Sequence, residues 1–276
     1  MGNLGLLFYK DYFRNLEFHQ DEKGDFVPKL KEQETRNTVK SLFGANIENF
    51  KPPQINCAVH TFELATIYPG LLIGSGYNHE IGQQKDELKL GFFFDHTTGL
   101  PCIPGSSVKG VLRDASEKDD GKYLLSVFME IGDDELKNTL PEKEAVEIFV
   151  RKDGEKFSRF VSTIFEGKRD KENFLPLKER DIFFDAFPIK SKNNNKIFLG
   201  NDYITPHKHS KDPKLDPFTN PNPIQFMKIL PQVIFQFNFR FTNTCVPDKI
   251  KRELFKQILL DLGVGAKTNV GYGQFI

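Results

Sequence analysis

Two segments of the chain combine cations, hydroxyls and bare backbone in a way that could hold a phosphate-bearing ligand. The first is IPGSSVKGVLR at 103–113. On a helix, at about 100° per residue, Val108, Val111, Leu112 and Ala115 form one apolar face. Ser106, Lys109, Gly110 and Arg113 lie together on the opposite face. Lys109 and Arg113 are like charges at i,i+4, which costs a few tenths of a kcal/mol in an isolated helix. Gly110 in a helix interior costs ~1 kcal/mol relative to Ala. An anion on that face would compensate both penalties, and a glycine there lets another backbone come close. Ser106 and Ser107 stand at the helix start, where free N–H groups and the macrodipole favour phosphate. The competing reading is an amphipathic helix with a solvated basic face.

The second segment is GVGAKTNVGYG at 263–273. It is not a Walker A loop, because Ala266 separates Gly265 from Lys267. A dinucleotide fingerprint needs a third glycine where Thr268 stands and a following helix, and only a few residues follow. The segment is instead a glycine loop carrying Lys267, Thr268, Asn269 and Tyr272, and such a loop can form an anion nest. The helix before it presents its C-terminal dipole, so Lys267 and the later amides would have to hold any anion. Tyr272 could stack on a base or belong to the core. A plain glycine turn between helix and edge strand is the alternative reading.

Other combinations are weaker. His207-Lys208-His209 sits in a basic, proline-rich loop, and alternating residues of an extended loop point apart, which argues against an acid/base pair. Asp185 is a carboxylate without a partner in sequence. Cys57, His60, His96 and Cys102 hint at zinc, yet Cys57 and His60 would face opposite sides of a strand. No cofactor motif is present, and no cofactor is expected.

The elements that must position these groups follow from periodicity. Residues 235–241 alternate apolar and polar at period two, as in a half-buried strand. Asp248 can cap a helix carrying Ile250, Leu254, Ile258 and Leu262 on one face, ended by Gly263. Strands are also expected at 55–68, 90–96, 157–165, 181–189 and 272–276, and a helix at about 106–116. Pro52-Pro53 ends a polar segment with helical spacing at Leu4, Leu7, Phe8, Tyr12, Val39, Leu42 and Phe43. The division is therefore an N-terminal helical extension at 1–54 and a domain at 55–276 with an insertion at about 114–180. The class is α+β, with an antiparallel sheet and helices on one face.

The 276 residues carry 38 Lys+Arg and 38 Asp+Glu. Zero net charge excludes nucleic-acid binding by bulk charge but not a local basic groove. Residues 114–147 hold 11 acids and 4 bases, whereas 186–214 hold six lysines and two acids. Five prolines crowd 206–223, a pattern of functional or partly disordered loops. Mean hydropathy is −0.44, and 28 Phe with no Trp must fill the core. Three separated cysteines, no signal-peptide pattern and no run of ~20 apolar residues point to a reducing, cytoplasmic setting without a membrane.

Together, the 103–113 and 263–273 segments resemble the RAMP superfamily of CRISPR proteins. DIFFDAFP (181–188), NDYITPH (201–207) and PNPIQF (221–226) narrow the likeness to Cas7-like subunits of type III-B (Cmr) effector complexes, over roughly residues 55–276. Cys102 stands where an aromatic is common and Val108 where Leu is common. The resemblance implies a ferredoxin-like (RRM-like) fold with the glycine loop between the last helix and last strand. It implies a non-catalytic subunit near the head of a ribonucleoprotein, holding the 3′ part of the guide RNA (crRNA), with which target RNA pairs. Cutting of the target belongs, in that family, to the repeating backbone subunit. Neighbours would include that subunit and the small helical subunit. The RNA-contacting residues would be Ser106, Ser107, Lys109, Gly110, Arg113, Gly265, Lys267, Thr268, Asn269, Tyr272, His207 and Lys208, with none catalytic and none metal-binding. Some RAMP relatives process guide RNA as metal-independent endoribonucleases, and that is the alternative function.

Overall fold

The alternating run at 235–241 lies at the centre of the main sheet in a computed structural model. The structure describes residues 2–14, 16–77, 79–81, 87–170, 172–205 and 223–276. In chain order the helices and strands among them are α1 (Leu4–Tyr9), β1 (Leu16–Gln20), β2 (Phe26–Leu30), α2 (Glu32–Phe43), β3 (His60–Ala65), α3 (Gly105–Glu117), α4 (Lys122–Glu130), α5 (Asp134–Thr139), α6 (Glu142–Phe149), α7 (Arg159–Ile164), β4 (Ile182–Phe183), β5 (Phe187–Ser191), β6 (Leu199–Ile204), β7 (Ile224–Ile229), β8 (Val233–Arg240) and α8 (Asp248–Leu262).

β8 pairs antiparallel with β3 on one side and with β4 and β5 on the other. Ala65 and Ile276 exchange backbone bonds of 2.9 Å, so the last residues add to the free edge of β3. The order is therefore 274–276, β3, β8, then β4 and β5. The pleat sends Phe62 and Leu64 of β3, opposite Phe237 and Phe235 of β8, to one buried face. α3 and α8 belong to the same core. Phe255 of α8 meets Phe183, Phe239 and Phe241 with ring centroids 5.8, 6.2 and 5.4 Å apart, within the range where aromatic pairs attract.

The segment at about 114–180, expected as an insertion, shares this core. Phe128 of α4, Phe149 of α6 and Phe160 of α7 form a chain of edge-on rings that ends on Phe255. The segment at 157–165, expected as a strand, forms α7. Phe157, Phe160, Val161, Ile164 and Phe165 recur at i, i+3 and i+4, and the Ser158 hydroxyl accepts the Val161 amide at 3.3 Å. Its Phe and Val content suggested a strand, but the spacing and the cap decide for a helix.

The N-terminal segment departs from a purely helical one. β1 and β2 form a mostly exposed hairpin, closed where Asp21 accepts the amides of Lys23 and Asp25 and Gly24 takes φ +85°. With little buried there, no apolar alternation marked it. Residues 4–12 enter the main core through buried Leu4, Phe8 and Tyr12. The Tyr9 hydroxyl donates to the Phe92 carbonyl, and the Tyr12 hydroxyl accepts the Leu88 amide. His79 stacks on Phe8 at 3.9 Å, and burial lowers its pKa despite backbone carbonyls at both ring nitrogens.

Two expected strands are shorter or absent. β3 begins only at His60, after a turn at 55–58. Phe92 and Phe94 are buried, but their segment makes isolated bonds, such as Phe93 N–H to the Ile73 carbonyl, and no ladder forms.

Candidate nucleic-acid interface

α3 is fixed at its start by the 181–188 segment. The Asp185 carboxylate accepts the Gly105 amide at 2.7 Å, which satisfies one of the amides a helix start leaves over. Gly105 itself packs on β4, because a Cβ there would lie 2.2 Å from the Phe183 carbonyl oxygen. Val108, Leu112 and Ala115 are buried, leaving Ser106, Ser107 and Gly110 exposed along the other side. A Cβ on Gly110 would meet nothing within 4 Å. Nothing inside the protein therefore requires glycine at that position.

The two cations of this helix face differ. Arg113 bonds to Glu117 at 2.8 Å and Glu166 at 2.7 Å. These carboxylates supply internally the compensating anions that an external phosphate was expected to provide. Hydrogen bonding to Glu117, with the nearby charge of Glu166, holds the guanidinium above its ordinary pKa. Lys109 has no ion pair among the described residues, and its ammonium lies 5.8 Å from the Phe183 ring centroid.

The 263–273 loop is built mostly on its own backbone. The amides of Val264, Ala266 and Gly273 donate to the carbonyls of Gly273, Leu72 and Gly70. At Gly265 (φ +104°) a Cβ would lie 2.4 Å from the Leu72 oxygen, and at Gly273 (φ +72°) 2.0 Å from the Val264 oxygen. These glycines are required by close passage of the chain's own backbone. Lys267 adopts φ +60° and is exposed, with no ion pair among the described residues. Thr268 is half-buried and Asn269 exposed.

Tyr272 points inward. Its hydroxyl donates to Asp202 of β6 at 2.7 Å, and Lys228 of β7 reaches the same oxygen at 2.6 Å. Burial pushes the Asp202 carboxyl up, but these two donors and the Tyr203 amide outweigh it and hold the group below the usual carboxylate range. Burial and the Asp202 charge raise the Tyr272 phenol. Asp202 thus anchors the end of the glycine loop.

The start of α3 and the start of the loop face each other across a cleft of about 480 Å3. Ser106, Ser107 and Val111 line one wall, and Val264, Gly265 and Ala266 another. Gly74, Ser75, Gly76, Tyr77 and Phe93 form a third wall that the sequence did not single out. Tyr77 is exposed and stacks on Phe93 at 6.4 Å. Of the residues expected to act together, Ser106, Ser107 and Gly265 meet in this cleft. Lys109 and Gly110 stand on the same helix, Arg113 is held by Glu166, and Tyr272 is bonded to Asp202. His207 and Lys208 lie outside the described residues.

A family model described as the RAMP superfamily matches residues 63–276. The chain belongs to the RAMP superfamily. In this RAMP protein the matched span runs from within β3 through α3, the other strands of the sheet, α8 and the glycine loop, and leaves α1, the β1–β2 hairpin and α2 outside. The CRISPR system Cmr subunit Cmr6 of Pyrococcus furiosus is 30% identical over 207 residues, covering 64% of this chain and 58% of that protein. The RAMP chain thus matches little more than half the length of that relative. Among solved structures, a chain of the type III-B Cmr-beta complex bound to cognate target RNA aligns with TM-score 0.46 and 24% identity, covering 78% of this chain and 56% of that one. Crystalline Cmr6 from Pyrococcus furiosus aligns with TM-score 0.35 and 23% identity, covering 81% and 99%.

Two of the residues considered for catalysis or metal, Asp185 and His60, have structural partners in this RAMP fold. Asp185 caps α3. His60 contacts Asp248 at 3.1 Å. Among the described residues no group of three or more His, Cys, Asp or Glu is placed to hold a metal ion.

Proposed function

We propose that this RAMP protein is an RNA-holding, non-catalytic subunit of a type III-B (Cmr) CRISPR ribonucleoprotein. It holds the 3′ part of the guide RNA near the head of the complex, where target RNA pairs with it. The observation that carries this reading is the cleft in which Ser106 and Ser107 of α3 meet Gly265 of the glycine loop. The similarity to Cmr6 supports the assignment to the complex. The sheet order, with β3 followed by α3 and β8 by α8, supports a ferredoxin-like, RRM-like reading of the fold.

In this reading the serine hydroxyls and the Lys109 and Lys267 ammonium groups meet phosphates. Gly110 gives the sugar–phosphate strand room to approach α3. Tyr77 offers a face on which a base stacks, as in other single-strand RNA sites. The neighbours are the other Cmr subunits, including the repeating backbone subunit and the small helical subunit, and the acidic 114–147 surface is free to meet them. The free thiols suit the cytoplasm, and no described helix is long and apolar enough to cross a membrane.

Co-purification of the chain with the other Cmr subunits tests the assignment, with guide RNA expected in the complex. In a binding titration with single-stranded RNA, Lys109→Ala with Lys267→Ala should lower the log–log salt slope by about 0.7 for each phosphate that is no longer neutralised. Unchanged affinity and slope, together with assembly that recovers no RNA, would overturn the proposal.

A further inference from the structure

On the insertion, away from the cleft, a second pocket of about 360 Å3 opens between the loop that follows α6, α7 and the turn at 168–170. Lys152, Lys156, Arg159, Lys168 and Arg169 line it, with Phe157 among them. Three carboxylates, Glu147, Glu155 and Asp170, also face it. Asp170 is committed elsewhere, to the Asn173 side chain and the amides of Glu172 and Asn173. Arg169 is paired with Glu179 at 2.9 Å. The other four cations have no ion pair among the described residues. The lining therefore carries five cations against three carboxylates, and an excess of like charge in one concavity favours an added anion.

Aromatic rings are interleaved with these cations. Lys156 and Arg113 both stand over Phe157, at 5.0 and 5.2 Å from its centroid. Lys168 and Arg180 both stand over Phe174, at 6.0 and 5.8 Å, and Phe174 is 59% exposed. Cations alternating with accessible rings suit a flexible strand that carries both phosphates and flat bases. Arg113 joins the two regions, because it rises from the same helix face as Ser106 and Gly110 and ends on Phe157.

We infer that the insertion pocket around Lys152, Lys156, Arg159 and Lys168 is a second contact for single-stranded RNA, taking phosphates in the pocket and a base against Phe174. The inference rests on the reading that the chain holds RNA. It adds a strand path that leaves the cleft along α3 and continues onto the insertion. An acidic protein partner would use the cations but has no need of the exposed ring.

The test uses the full chain and a labelled single-stranded RNA of about 20 nucleotides, titrated at several salt concentrations. One variant carries Lys152→Ala, Lys156→Ala and Lys168→Ala, another carries Phe174→Ala, and a third carries Lys109→Ala with Lys267→Ala. A matching Lys→Arg triple variant and thermal melts control for folding. The pocket variant should bind about tenfold more weakly, with the salt slope reduced by about 2, or 0.7 for each of three lysines. Phe174→Ala should weaken binding with an unchanged slope, and the Lys→Arg variant should bind normally. Weaker binding of the pocket variant beside normal binding of the cleft variant would support this site and overturn the cleft reading. Weaker binding of the cleft variant alone would overturn this site and leave the cleft reading standing. Normal RNA binding of the pocket variant with loss of a neighbouring subunit in pull-downs would also overturn it, assigning the pocket to a protein.

Discussion

The Lys251 ammonium lies 2.7 Å from the Asp181 carboxylate, and the two side chains are 0% and 1% exposed. The pair joins α8 to the start of the DIFFDAFP segment, the same segment whose Asp185 caps α3. Each charge has further bonds. Lys251 donates to the Thr242 carbonyl at 2.6 Å, and Asp181 accepts the Thr242 amide at 2.8 Å. Removing one partner leaves the other charge buried and uncompensated, which costs about 3–5 kcal/mol. Lys251→Met should therefore shift the denaturant midpoint strongly. Adding Asp181→Asn should restore a large part of the loss. A double variant no more stable than Lys251→Met would show that the pair's geometry, and not its charge balance, sets the cost.

Gly110 should behave in opposite ways in stability and in binding. A Cβ there meets only open space, so Gly110→Ala should raise stability by up to about 1 kcal/mol. The added methyl stands where the strand is proposed to approach, so RNA binding should weaken. Denaturant unfolding and an RNA titration on the same sample measure both. Increased stability with unchanged binding would remove the exposed side of α3 from the interface.

The Asp202 anchor gives the glycine loop a dependence on pH. Its pKa is lower folded than unfolded. The stabilisation is then fully present above the unfolded value of about 3.9 and is lost as pH falls through the lower folded value. Asp202→Asn should lower Tm at neutral pH, and the difference from the unsubstituted chain should shrink on acidification toward about pH 2. A difference that stays constant across that range would mean that the carboxylate's charge contributes nothing to the anchor.

Legibility in the sequence followed how much each segment buries. The run at 235–241 alternates because one face of the strand is buried, with Phe239 and Phe241 against Phe255 of α8, and the 3.6-residue spacing of α8 shows equally well. The β1–β2 hairpin buries almost nothing, so the polar turn residues around Gly24 were its only mark. At 157–165 residue type suggested a strand while spacing and Ser158 specified a helix, and spacing describes the environment more directly than composition does. Within the candidate site, α3 and the glycine loop were each visible as local patterns. Their meeting with Tyr77 and Phe93 depends on long-range packing that no local pattern encodes. The clash distances at Gly265 and Gly273 also separate glycines that serve the fold from Gly110, a distinction invisible in a string of letters.

The acidic helices of 114–147 lie next in sequence to the basic pocket of the insertion. A chain of zero net charge therefore distributes its charge unevenly, with 11 acids against 4 bases over 114–147. Such a molecule turns in the field of an approaching polyanion before it touches it. Its association rate should be sensitive to ionic strength even though its formal charge is nil, and the encounter is oriented from the outset.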